Sequence, residues 1–253
     1  MPRKLQTEVP AADLVPLIRA LLHGLASLAL AYDDSPLVDA HSAVYAANVM
    51  VFVPQPTAAN LQLTFFPKEH DKAQLKGALL LRQDLSATSE SAVGENVEID
   101  TGVPTIALPV PHDAERDGLW IALLGGPRAF LTGRVDGYVD TALFADECAK
   151  RGDFQPSVLT ELRSYFGNGP GREIRSFVSR QLVYRGDAIG VLNLHANRRD
   201  LLGPRLEKRE TFHALATPLV HDLADALGLL IAGDGPLPVS TTSGTMNSKG
   251  RGH

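Results

Sequence analysis

A chain of 253 residues with 44% hydrophobic and 21% charged residues has the composition of one large globular domain with a substantial core. The formal net charge is -5 and the basic residues are scattered among acids, which argues against nucleic acid as a partner, because a groove for it needs a concentrated basic face. Cys148 is the only cysteine, so an intramolecular disulfide and a multi-cysteine metal site are excluded, and a reducing, cytoplasmic compartment is expected.

Residues 1–9 are expected to be a flexible start. Pro10 to Ala31 then reads as a helix, with Leu14, Leu17, Ile18, Leu21, Leu22, Leu25 and Leu28 close to a three-four spacing. Pro16 falls in its first turn, where a missing N–H costs little. A membrane span is not expected here: Arg19 and His23 lie near the middle, and an arginine there costs about 2.5–3.5 kcal/mol on insertion scales. Those two residues are four apart and are assigned to the polar edge of the helix.

Ala47 to Val53 is a short β-branched run ending at Pro54, the pattern of a strand covered on both faces. Leu61, Leu63 and Phe65 alternate with Gln62 and Thr64, which predicts a second strand paired with the first. Ala78–Leu81, Thr105–Leu108 and Leu119–Leu124 are weaker strand candidates, with Ser86 to Gly94 a polar loop. Short helices are predicted over Val139–Lys150 and Ser157–Phe166, the latter opened by Pro156 and ended by Gly167-Asn168-Gly169-Pro170-Gly171.

A hairpin follows. With Gly186-Asp187 as its two turn residues, Tyr184 faces Ile189, Leu182 faces Val191, Arg180 faces Asn193 and Val178 faces His195. Phe177, Ser179, Gln181 and Val183 then take the opposite face. A one-residue slip would exchange the faces of one strand. The closing helix runs from about Arg205 to Ile231, interrupted by Pro218. From residue 233 to 253 the composition turns to Gly, Ser, Thr and Pro, and a disordered tail is expected.

Motifs for chemistry are missing where they would be diagnostic. No G-x-S-x-G elbow, Walker A loop or H-E-x-x-H occurs. His213 and His221 are eight apart on the closing helix without a third ligand nearby, so no metal site is assigned. Cys148 has Lys150 and Arg151 near it but also Asp146 and Glu147, and is read as a packed cysteine. No enzymatic activity and no cofactor are expected.

The segment Ile189-Gly190-Val191-Leu192-Asn193-Leu194, the preceding Ser176–Tyr184 strand, the Leu215–Leu227 helix and the stretch Gly125–Asp140 (GGPRAFLTGRVDGYVD) together resemble a GAF domain. The resemblance implies an α+β fold over residues 10–232. Its antiparallel sheet would have five or six strands, with the N- and C-terminal helices on one face and pocket-covering helices and loops on the other. Residues 68–118 would be an insertion. Carried over by position, Phe130, Arg134, Tyr138, Asp140 and Phe144 would border a small-molecule pocket, with Arg180 and Asn193 at its floor. Asp140 equally suits capping of the helix that follows it, and Phe130 and Phe144 equally suit the core.

Departures from the family narrow the ligand. The N-K…F…D-E pattern of its cyclic-nucleotide subset begins at Asn197-Arg198-Arg199-Asp200 but does not continue. The tetrapyrrole subset needs a cysteine beside a histidine, whereas Ala149 follows Cys148. The methionine sulfoxide reductase branch needs a disulfide relay that one cysteine cannot form. The expectation is a cytoplasmic signalling protein that senses an unidentified small molecule. It would act through homodimerisation over the terminal helices or through a signalling partner, with no nucleic acid or membrane involved. The alternative is a GAF-like interaction module whose pocket is filled by its own Phe130, Tyr138 and Phe144.

Overall fold

The computed structural model of the chain describes residues 11–33, 43–67, 71–91, 105–112, 122–151, 154–203 and 205–234. They form an α+β fold built on one antiparallel sheet. Its strands are β1 (Tyr45–Pro54), β2 (Leu75–Thr88), β3 (Ala107–Pro111), β4 (Asp136–Tyr138), β5 (Ser176–Tyr184) and β6 (Asp187–Ala196), in the spatial order β3-β2-β1-β6-β5-β4. Helices α1 (Ala11–Tyr32) and α5 (Leu206–Asp234) lie together on one face. The shorter α2 (Gly126–Thr132), α3 (Phe144–Lys150) and α4 (Pro156–Gly167) cover the other.

The two-helix layer follows from the spacing of its apolar residues. Ile18, Leu22 and Leu25 of α1 and Leu223, Leu227 and Leu230 of α5 fall on inward stripes and are at most 1% exposed. Beneath them the outward alternation of β1 and β6 supplies Ala47, Val49, Val51, Leu192 and Leu194. Both helices are long and apolar enough to cross a membrane by length and composition, and both bury those stripes in this core. Arg19 and His23 do more than solvate an edge. Arg19 Nε donates to the Asp84 carbonyl at 2.8 Å, and His23 Nδ1 donates to the Thr88 carbonyl at 3.0 Å, so both tie α1 to β2.

The partner of β1 is not the predicted strand at Leu61–Phe65. Thr57–Asn60 is a turn of 3-10 helix, and residues 61–67 then cross the sheet as irregular chain. Their alternation comes from Leu61 and Phe65 anchoring in two separate apolar clusters, with Phe65 at φ 58°. The Lys72 ammonium satisfies the Leu61 carbonyl at 2.6 Å, a role a sheet neighbour would otherwise fill. The strand beside β1 is β2, and β3 pairs with β2 in turn. Residues 75–88 and 107–111 of the expected insertion are therefore integral strands of the sheet. Residues 86–88 of the expected polar loop belong to β2 as well.

In the hairpin, the turn residues are Arg185 and Gly186 rather than Gly186 and Asp187. Both have positive φ, 53° and 91°, the requirement of a type I′ turn that matches strand twist. Tyr184 pairs with Asp187, and a bulge beyond Val183 leaves Ile189 as the extra residue. The turn shift and the bulge together produce a net slip of one. Ser179, not Arg180, stands opposite Asn193, and Arg180 stands opposite Leu192. The predicted short helix at Val139–Lys150 starts late: Thr141–Leu143 is 3-10, and α3 begins at Phe144. Leu119–Ile121, residues 1–10 and residues 235–253 lie outside the described residues, while Ala122–Leu124 is not a strand. The helix continues through the predicted start of the tail to Asp234.

Candidate functional site

A cavity of about 130 Å³ lies between the sheet and the layer of α3 and α4. Its floor is sheet, and strand alternation decides which side chains reach it. On β5, Phe177 and Ser179 point to this face, and on β6, Val191, Asn193 and His195 do so; their neighbours Val178, Arg180, Leu192 and Leu194 point to the α1/α5 layer. On β1, Asn48 and Met50 stand beside Asn193 and Val191.

The centre of the floor is a row of polar side chains across three strands. Ser179 Oγ donates to Asn193 Oδ1 at 2.7 Å, and Asn193 Nδ2 donates to Asn48 Oδ1 at 3.0 Å. The amide orientations are the ones this network assigns. Among the described residues, the Asn48 side-chain N–H groups have no protein acceptor, and neither ring nitrogen of His195 has a protein partner. Burial pushes the His195 imidazole down to about 4, so the ring is neutral at physiological pH and offers one donor and one acceptor.

The walls are aromatic. Pro156 starts α4 at a position where its missing N–H is harmless, and Leu162, Tyr165 and Phe166 then fall on the inward face by their three-four spacing. Phe166 stacks parallel to Phe177 at 6.4 Å between centroids, Phe144 is edge-on to both at 5.5 Å, and Phe65 meets Tyr165 edge-on at 5.3 Å. Edge-to-face contacts hold such rings in fixed orientations. Burial raises the Tyr165 phenol to about 12, so it too is uncharged. At the rim, Gly125 adopts φ 85° and its N–H donates to Asp136 Oδ2 at 2.8 Å. This bend lets Gly126 approach the floor, where a Cβ would lie 3.7 Å from Asn193 Oδ1.

Of the residues carried over from the family resemblance, Phe144 and Asn193 line the cavity. Tyr138 lies one layer behind, edge-on to Phe144 at 5.3 Å. Phe130 belongs to a different cluster with Met50, Leu79, Val110 and Val191, stacked on Phe52 at 4.5 Å. Asp140 braces the local fold instead of facing the cavity, since its carboxylate accepts from the Ala142 N–H at 3.2 Å and pairs with Arg199 at 2.9 Å. Arg134 is exposed in the turn after α2. Arg180 is on the opposite face of the sheet, where it donates to the His213 carbonyl and the Thr217 hydroxyl of α5. The displacement of Arg180 is the consequence of the one-residue slip in the hairpin.

Sequence reasoning missed Asn48, Ser179, His195, Tyr165, Phe166 and Phe177 as cavity residues. Asn48 carried a usable signal, since an amide within an otherwise apolar strand needs a hydrogen-bond partner. Cys148 is fully buried among Phe144, Val158 and Leu162, and burial raises its thiol to about 11, which removes its nucleophilic form. No group of three or more His, Cys, Asp or Glu side chains suited to a metal occurs among the described residues. Searches against protein-family models and curated proteins find no match for this chain.

Proposed function

We propose that the chain is a GAF-like sensing module that binds a small molecule in this cavity and signals by association with itself or with a partner. The observation that carries the reading is the floor: a cross-strand polar row and a neutral histidine without a partner among the described residues open into an otherwise apolar cavity. A ligand can supply the missing partners, as buried polar groups require. The rival reading, a pocket closed by the protein's own side chains, is disfavoured because Phe130 belongs to another cluster and Tyr138 stands behind Phe144, outside the cavity lining.

The route from pocket to output runs through β6. Asn193 and His195 face the ligand site, and Leu192 and Leu194 on the same strand pack under α1 and α5. A ligand that favours one position of this strand biases the packing of the helical layer, a population shift between pre-existing arrangements. The outer surface of that layer exposes Leu17, Leu215 and Leu229, which supports the terminal helices as the association surface. The reading is non-enzymatic, and one observation supports it: the Ser179 hydroxyl donates to an amide oxygen, which cannot serve as a general base, so this serine is not an activated nucleophile.

Thermal unfolding across a small-metabolite library tests this function. A rise in Tm with at least one compound, accompanied by a change in oligomer mass, is expected. A well-folded sample that no compound stabilises would overturn it.

A further inference from the structure

We infer that the occupant of the cavity is an uncharged, flat aromatic molecule with a carboxamide or lactam edge, docked on the Ser179–Asn193–Asn48 row. The inference rests on the ligand-binding reading above and goes on to name the ligand's chemistry.

Charge gives the first restriction. Among the described residues, no Asp, Glu, Lys or Arg lines the cavity, and the titratable side chains that do, His195 and Tyr165, are both neutral near pH 7. An ionised ligand would be buried without a counter-charge, a cost that outweighs what a few neutral hydrogen bonds return. Sites for carboxylates or phosphates carry a cation or a ring of N–H donors, and this floor carries amides and an imidazole.

Shape gives the second. Phe166 and Phe177 are parallel to within 10°, with Phe144 edge-on against both, so the wall offers ring faces and ring edges in fixed directions. A planar π-system gains from both, where an aliphatic ring of equal size gains only from burial. The volume of about 130 Å³ is close to the ~150 Å³ of a dry cavity that takes one benzene, which suits a single ring.

The polar edge follows from what the row leaves open. Asn48 keeps its side-chain N–H donors, and Ser179 Oγ keeps acceptor capacity. His195, two residues along β6 from Asn193 on the same face, adds a donor and an acceptor. A carbonyl beside an N–H satisfies this pattern on both counts, and a carboxylate or an amidinium satisfies only half of it.

Benzamide, benzoate and benzamidine share one heavy-atom skeleton and differ in charge, so they test the inference directly, with cyclohexanecarboxamide as the non-aromatic control and benzene as a probe of the cavity alone. Binding is read from the unfolding temperature of the full chain and from the side-chain amide resonances of Asn48 and Asn193. Benzamide is expected to bind at least tenfold more tightly than each of the other three functionalised probes and to move both amide signals. In Asn193→Leu, that preference is expected to vanish while benzene still binds; if this variant does not fold, Ser179→Ala provides the same comparison. Equal or tighter binding of benzoate or benzamidine overturns the inferred class and leaves the ligand-binding reading standing. Benzene binding without any preference for benzamide does the same. If neither benzene nor any other probe binds, the cavity is closed in solution and both readings fall.

Discussion

Asn193 Nδ2 donates to Asn48 Oδ1 at 3.0 Å across the β1–β6 pairing, and it does so on the floor of a cavity rather than in solvent. The same Asn193 amide accepts from Ser179, so one side chain joins three strands through two neighbours. Asn193→Leu removes both bonds and leaves a hydroxyl and an amide enclosed without partners. We expect a loss of about 1–3 kcal/mol in urea unfolding. Asn193→Asp retains an acceptor for Ser179 but sets two oxygens against each other towards Asn48, and it buries a charge. It should cost more than the leucine variant at neutral pH and recover as the pH is lowered. An aspartate that unfolds with the wild-type midpoint would contradict the enclosed character of the floor.

Two glycines with positive φ separate backbone strain from close packing. Gly186 at φ 91° has no atom within 4 Å of an added Cβ, whereas at Gly125, φ 85°, the Cβ would lie 2.5 Å from Phe177 Cε2. Gly186→Ala carries only the left-handed penalty of about 1 kcal/mol. Gly125→Ala adds a clash with a ring already fixed by Phe144 and Phe166, and we expect more than about 2 kcal/mol. It should also displace the Phe177 wall. Denaturant midpoints of the two variants compare the effects, and equal losses would place the Phe177 ring elsewhere.

Leu17 and Leu215 are each about half exposed on α1 and α5, on the side away from the sheet core. Leu17→Glu and Leu215→Glu should each change stability by less than about 0.5 kcal/mol, as surface substitutions do. If association runs through these helices, the pair of substitutions reduces the assembly to single-chain mass in sedimentation. Leu223→Ala, fully buried in the same helix, should cost about 2–5 kcal/mol and supplies the contrast. Unchanged mass in the double variant would move the association surface off the terminal helices.

The elements that sequence pattern made legible are those with an uninterrupted period. The stripes of α1 and α5 and the Ile189–Leu194 strand kept theirs, and with them the layering of helices over one face of a sheet. The second strand was legible only in part, as the weak candidate Ala78–Leu81, because β2 breaks its alternation: Asn48 pairs with Ser86 and Val49 with Arg82, so Gln83–Leu85 is bulged out. That bulge has its own contacts, an Arg82–Asp84 ion pair at 2.8 Å and the Asp84 carbonyl that receives Arg19. Local chemistry thus replaced periodicity there, while Leu61–Phe65 mimicked a strand by anchoring two residues in two separate clusters. At the site, Asn193 could be read from its polarity in an apolar strand. Ser179 could not, because a left-handed Arg185 and a bulge at Ile189 set the register, and neither has a sequence signature as strong as an Asn-Gly turn.

The buried imidazole of His195 makes stability depend on pH in a definite direction. Unfolded, histidine takes up its proton around pH 6.5. Folded, burial holds His195 down to about 4, so between these values the unfolded chain binds more protons. Stability contributed by the neutral ring is therefore complete above about pH 7, falls as the pH drops towards about 4, and levels off below that. Burial and the nearby Arg180 and Arg209 also lower His213, which contributes with the same sign, so the His195 share must be read as a difference. His195→Gln keeps a polar side chain in the cavity and removes the titration. Urea unfolding of wild type and variant at about pH 7 and about pH 5 should show the wild type losing roughly 2 kcal/mol more over that interval. A variant that loses as much as the wild type would mean that the His195 ring takes up its proton in the folded cavity.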